Sequence, residues 1–95
     1  MKKGYWMAMV DVTDGENYPR YIAANAVAFE KYGAKFIVRG GRHTAPEGPS
    51  GDRHVVIEFE SYEKALACYN SPEYQAALKL RLAYSNAHVV IVEGA

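Results

Sequence analysis

Cysteine is nearly absent. Cys68 is the only one in 95 residues, so no internal disulfide can form and no cysteine pair can hold a metal, and the chain suits a reducing compartment such as the cytoplasm. An excess of charge is missing too: eleven acidic residues balance eleven basic ones, which gives nucleic acid and anionic membranes no electrostatic handle. Long apolar runs are also lacking. Lys2 and Lys3 precede a patch from Tyr5 to Val10 that Asp11 ends, too short and wrongly flanked for a signal peptide or a membrane span. No Walker loop, Rossmann fingerprint or Ser-His-Asp order occurs, and Arg39-Gly40-Gly41 is too short for a phosphate cradle. His43, His54 and His88 share no ligand spacing, so no metal site is expected.

What the chain does contain is a set of short apolar runs. Phe36-Ile37-Val38, within Lys35 to Gly41, and Val55, Val56, Ile57 and Phe59, within His54 to Glu60, are apolar on both alternate sets, the pattern of strands covered on both faces. Tyr5 to Val12 reads the same way, with Tyr5, Met7 and Met9 on one side and Trp6, Ala8 and Val10 on the other. Thr13 and Glu16 stand at capping-box spacing, and Pro19 is tolerated only in a first turn. Tyr18, Tyr21, Ile22, Asn25, Phe29 and Tyr32 then recur at helical spacing until Gly33 supplies a left-handed cap. Gly40-Gly41 reads as a bulge or bend, with Arg42 to Ala45 continuing the strand into a long hairpin that turns within residues 46–52 and returns at Arg53. Ser61 caps a short helix, and Ser71 with Pro72 starts another through Tyr74, Ala77, Leu78, Arg81 and Leu82, ended by Asn86. Ala87 to Glu93 is the last strand.

The order is β-α-β-β-α-β. The simplest fold is one ferredoxin-like domain over residues 1–95, an α+β sandwich with a four-stranded antiparallel sheet and helices on one face. Two helical segments cover one side only, yet every strand is apolar on both. Leaving six or seven such side chains wet would forgo about 1.5–3 kcal/mol each, comparable with the whole stability of a domain, about 5–15 kcal/mol. A second copy of the same face is the simplest cover, which makes a homodimer in which two sheets pack into one barrel.

Gly4-Tyr5-Trp6, Asp11-Val12-Thr13-Asp14, Ala24-Asn25-Ala26, Phe36-Ile37-Val38-Arg39-Gly40-Gly41, Val56-Ile57-Glu58-Phe59, Ser71-Pro72-Glu73-Tyr74 and Val90-Ile91-Val92-Glu93-Gly94 together resemble the small family catalogued as domain of unknown function 1330. The resemblance runs nearly end to end. That family is similar to the dimeric α+β barrel proteins, among them cofactor-free monooxygenases, lactone isomerases, polyketide cyclases and haem-handling enzymes. It implies the fold, the dimer and a shortlist of activities. Haem-handling relatives carry an axial histidine on the later helix, where this chain has Leu78, so haem is not expected and no cofactor is assigned.

Candidate residues follow from chemistry. If Phe36 and Val38 share a face with Val55, Ile57 and Phe59, strand parity places Arg39 and Glu58 together on the other. In a sheltered cavity the arginine would hold a carboxylate or enolate and the glutamate would take a proton. At a subunit interface the two would be matched charges that fix register, which is the role we expect. Asn25 interrupts an apolar helical stripe, so its amide either enters a ligand cleft or ties the helix to a strand carbonyl. His43 is the histidine best placed for acid-base work. Trp6 could wall a flat pocket for an aromatic ligand, although packing is its commoner duty, and Tyr74 lies on a helical stripe whose hydroxyl reaches the edge. Three functions are compatible: a cofactor-independent enzyme or binder for a small aromatic or carbonyl-containing metabolite, a non-catalytic dimeric module, and RNA binding. The last is discounted because Glu58 sits on a central strand and the charge is balanced.

Overall fold

Residues 2–95 are described by the structure, a computed structural model. Seven elements follow in order: β1 (Gly4–Val12), α1 (Tyr18–Lys31), β2 (Lys35–Arg39), β3 (Arg53–Phe59), α2 (Tyr62–Asn70), α3 (Pro72–Tyr84) and β4 (Ser85–Glu93). The strands form one antiparallel sheet in the order β2-β3-β1-β4, the ferredoxin-like arrangement. Among the described residues, no helix is long and apolar enough to cross a membrane.

Local chemistry sets the helix ends. Pro19 occupies the first turn of α1, which puts Asn17 at the cap and leaves Thr13 too far upstream to serve. The expected Thr13–Glu16 capping box is therefore not made. Asp14 does the work instead, accepting from the Asn17 backbone at 3.1 Å and its amide at 2.9 Å, which holds the Asp14 carboxyl below the usual carboxylate range. Gly33, at φ +68°, turns the chain out of α1. Ser61 accepts from the Lys64 backbone. Ser71 Oγ joins the next two helices, accepting from Tyr74 N at 3.1 Å and donating to the Cys68 carbonyl at 2.7 Å.

Strand parity then divides the sheet. Trp6, Ala8 and Val10 face the helices and pair with Ile57, Val55 and Arg53 of β3 and with Ile91, Val89 and Ala87 of β4. Trp6, Val10, Phe29, Ile57, Phe59, Tyr74 and Ala77 make the centre of the core. Gly4 carries no side chain because a Cβ there would run into the Ser61 carbonyl and Tyr62 Cα. Met7, Met9, Val38, Val90 and Val92, on the other side of the sheet, are exposed. One side of the sheet is sheltered and the other is apolar and open.

Three expectations fail here. The irregularity in β2 lies between Phe36 and Val38, not at Gly40-Gly41. Arg42 to Ala45 is not strand: Gly40 leaves β2 at φ +64° while its N–H still bonds the His54 carbonyl at 2.8 Å. Asn86 does not end a helix but lies within β4, because α3 passes directly into strand at Ser85, whose hydroxyl donates to the Arg81 carbonyl at 2.7 Å.

Cys68 is fully buried, and burial pushes its thiol up to about 12 from 9.0. A raised acid pKa contributes stability that is complete below the unfolded value and is lost as pH climbs toward the folded one. Stability should therefore decline from about pH 9 toward pH 12, with Cys68→Ala flattening the onset. Iodoacetamide should leave the native thiol unmodified at pH 8 and label it in urea; rapid native labelling would contradict the burial.

Candidate functional site

A cavity of about 40 Å³ lies between the helices and the covered side of the sheet. That is room for roughly three waters. Trp6, Ala8 and Val10 of β1 and Val55 and Ile57 of β3 floor it, while Tyr18, Tyr21, Asn25 and Phe29 of α1 and Tyr74 and Arg81 of α3 wall it. The walls follow from helical spacing. Tyr18, Tyr21, Asn25 and Phe29 share one side of α1, and Tyr74, Ala77 and Arg81 share one side of α3.

Its polar groups are mostly donors. Tyr21 and Tyr74 hydroxyls meet at 2.8 Å, and Arg81 Nε donates to the Tyr74 hydroxyl at 3.3 Å. Burial raises both phenols. Arg81 and the shared hydrogen bond offset that only in part at Tyr74. At neutral pH both therefore stay protonated. Two hydroxyl protons serve one O···O contact, so the second remains available to an oxygen in the cavity. Asn25, 7% exposed, sits beside the Tyr21 hydroxyl and lines the same space. The arrangement can orient a small molecule and stabilise negative charge on its oxygen; it offers no strong base.

Asn25, Arg39, Trp6 and Tyr74, four of the residues singled out from the sequence, line this cavity. Glu58 and His43 do not. The irregularity at Ile37 moves Val38 opposite Val56 and Arg39 opposite Val55, so Arg39 turns to the helix side, its guanidinium 4.2 Å from the Phe36 ring centre. Glu58 stays on the open side, accepting from the Tyr5 hydroxyl at 3.0 Å. The expected Arg39–Glu58 pair does not exist, and Arg39 is not on the face proposed for dimerisation. His43 packs on His54 at 4.3 Å between ring centres, and His54 is held by Ser50 at 2.9 Å. Leu78 packs against the core from α3.

Sequence reasoning missed Tyr21, Arg53 and Arg81 as lining residues. Arg81 did carry a signal, since it shares the stripe of Tyr74 and Ala77. Arg53 carried one as well, since it alternates with Val55, Ile57 and Phe59, and Gly40 leaves room for its guanidinium, because a Cβ there would stand 2.5 Å from Nη1. A wider groove of about 550 Å³ runs past Met9, Asp11, Ser50, Asn86 and His88, partly on the open side of the sheet. Among the described residues, no three metal-ligating side chains gather.

No curated protein matches the chain. Among solved structures, a protein of unknown function from Rhodopseudomonas palustris superposes with a TM-score of 0.79 at 18% identity, covering 99% of this chain and 83% of its own. SnoaB, described as a cofactor-independent oxygenase from Streptomyces nogalater, gives 0.62 at 13% identity over 97% of this chain and 92% of its own. A dimeric ferredoxin-like protein of unknown function from Thermobifida fusca gives 0.56 at 16% identity over 97% and 91%. At these identities the likeness is one of fold. Over residues 3–95 the sequence matches the family described as Domain of unknown function (DUF1330), and the chain belongs to that family.

Proposed function

We propose that this protein is a homodimer whose subunits each bind a small aromatic or carbonyl-containing metabolite in the cavity under α1, and that its own side chains act on that molecule without a bound cofactor. The carrying observation is the cavity itself. Its lining is what counts: a buried amide, two phenols and an indole surround the space, whose volume of about 40 Å³ is well below the few hundred cubic ångströms of a pocket that encloses a whole ligand. The space holds the head of a ligand, and the remainder passes exposed Arg39 at the rim. SnoaB is a precedent for cofactor-independent chemistry on this fold. The dimer rests on the open apolar side of the sheet and on relatives described as dimeric. The single buried thiol suits the cytoplasm.

A metabolite library screened by thermal shift and native mass spectrometry tests the reading. At least one compound should bind once per subunit and raise the melting temperature, and Asn25→Ala should weaken it about tenfold, as expected when a buried hydrogen-bond partner is lost. A library without a ligand, or a ligand indifferent to Asn25→Ala, would favour the non-catalytic module.

A further inference from the structure

Charge within the cavity is of one sign. Arg39, Arg53 and Arg81 line it, and no aspartate or glutamate does. Among the described residues the ion pair is Lys31–Glu73 at 2.8 Å, which joins α1 to α3 and involves none of these arginines. Guanidinium groups remain protonated in proteins, and a buried cation without a counter-charge is costly. Arg81 is buried, and the acceptor of its Nε is a neutral phenol. Arg53 adds an independent sign: its Nε is buried and has no hydrogen-bond partner. A donor without an acceptor calls for one from outside the chain. Gly40 leaves room for that guanidinium, since a Cβ there would stand 2.5 Å from its Nη1.

We propose that the cavity's ligand is an anion, a carboxylate or an enolate. Arg81 holds its oxygens from within and Arg53 and Arg39 from the mouth, while Asn25 and the Tyr21–Tyr74 pair donate the remaining hydrogen bonds. This rests on the ligand-binding reading above and narrows its substrate class. The planar guanidinium fork matches two carboxylate oxygens. Acceptors in the lining are confined to the Asn25 carbonyl and phenol oxygens, so the same wall rejects cations and is poorly matched to neutral donors.

Trp6 is the chain's one tryptophan and lines the cavity, so its emission reports occupancy. The full chain is titrated with benzoate and pyruvate, and separately with the neutral amides benzamide and pyruvamide; hits from the library are compared with their own amides. The acids, or anionic hits, should bind about tenfold or more tightly than their amides, as expected for a hydrogen bond to a charged group. Arg53→Gln should erase most of that preference while leaving the melting temperature within a few degrees, because Arg53 lies at the mouth and is only part-buried. Arg39→Gln, at an exposed position, provides a second variant should Arg53→Gln fold poorly. Amides binding as tightly as acids, a preference unchanged in both variants, or hits that are all neutral would overturn the anion assignment and leave ligand binding standing. If no compound of any class perturbs Trp6 or the melting temperature, both readings fall.

Discussion

Val90→Asp should leave the chain folded and make it a monomer at micromolar concentration. Val90 is 52% exposed and Met7, its partner across the sheet, 48%, so a carboxylate at position 90 has water to point into within one subunit. In a twofold dimer closed over this face it does not. The substitution would remove two valines, worth about 1.5–3 kcal/mol each when buried, and place two carboxylates in a dry seam at several kcal/mol per ion. A total beyond about 5 kcal/mol weakens association more than thousandfold. Sedimentation equilibrium reads the result directly. Val27→Asp is the control, since Val27 is 60% exposed on α1, away from the sheet, and should leave the dimer intact. A wild-type chain that sediments as a folded monomer, or a Val90→Asp chain that remains dimeric, would remove the interface.

The rows of that face explain why Val90 is the position to change. Val38, Val56, Met7 and Val90 run side by side across all four strands. One row toward one end lie Lys35, Glu58, Tyr5 and Val92, and toward the other lie His54, Met9 and His88. An apolar band flanked by polar rows is the anatomy of a subunit interface. In a dimer closed over this face, Glu58 and the Tyr5 that donates to it would lie in a flanking row.

The failure of that pair shows where sequence stops being readable. Apolar residues on both sides of β1, β3 and β4 were visible because alternation survives in a regular strand. In β2 the residues around the irregularity are Phe36, Ile37 and Val38, all apolar, so nothing in their chemistry marks where one extra residue enters. A one-residue slip sends every later side chain to the opposite face, and Arg39 changed sides with it. Gly40-Gly41 was a visible irregularity, but its use is a strand exit and a space for Arg53. In the cavity, Asn25, Trp6 and Tyr74 stood out because each is a polar or amphipathic group on an apolar stripe. Arg53 and Arg81 were passed over although spacing put them on inward sets, Arg53 with Val55 and Ile57 and Arg81 with Tyr74 and Ala77, because arginines on strands and helices usually face water.

Trp6→Ala should cost the chain most of its stability. Trp6 is 3% exposed and is the point at which all three helices meet the sheet. Its ring packs edge-on against Phe29 of α1 at 5.2 Å, Tyr69 of α2 at 5.7 Å and Tyr74 of α3 at 4.8 Å, and lies 5.5 Å from Phe59 of β3. Its Nε1 donates to the Ala65 carbonyl at 2.9 Å. Truncating a buried tryptophan costs about 3–5 kcal/mol, and the abandoned carbonyl adds about 1–3 kcal/mol, against a total of about 5–15 kcal/mol for a domain. At about 4–8 °C per kcal/mol for this size, the melting temperature should drop by at least about 15 °C, and urea unfolding should shift in proportion. Trp6→Phe separates the two terms. It keeps an aromatic ring against Phe29 and Tyr74 and loses the bond to Ala65, so it should recover well over half of the loss. A Trp6→Ala chain within about 1 kcal/mol of wild type would mean that the helices are held on the sheet by something other than this ring; equal losses in both variants would give the Ala65 hydrogen bond, rather than the packing, the larger share.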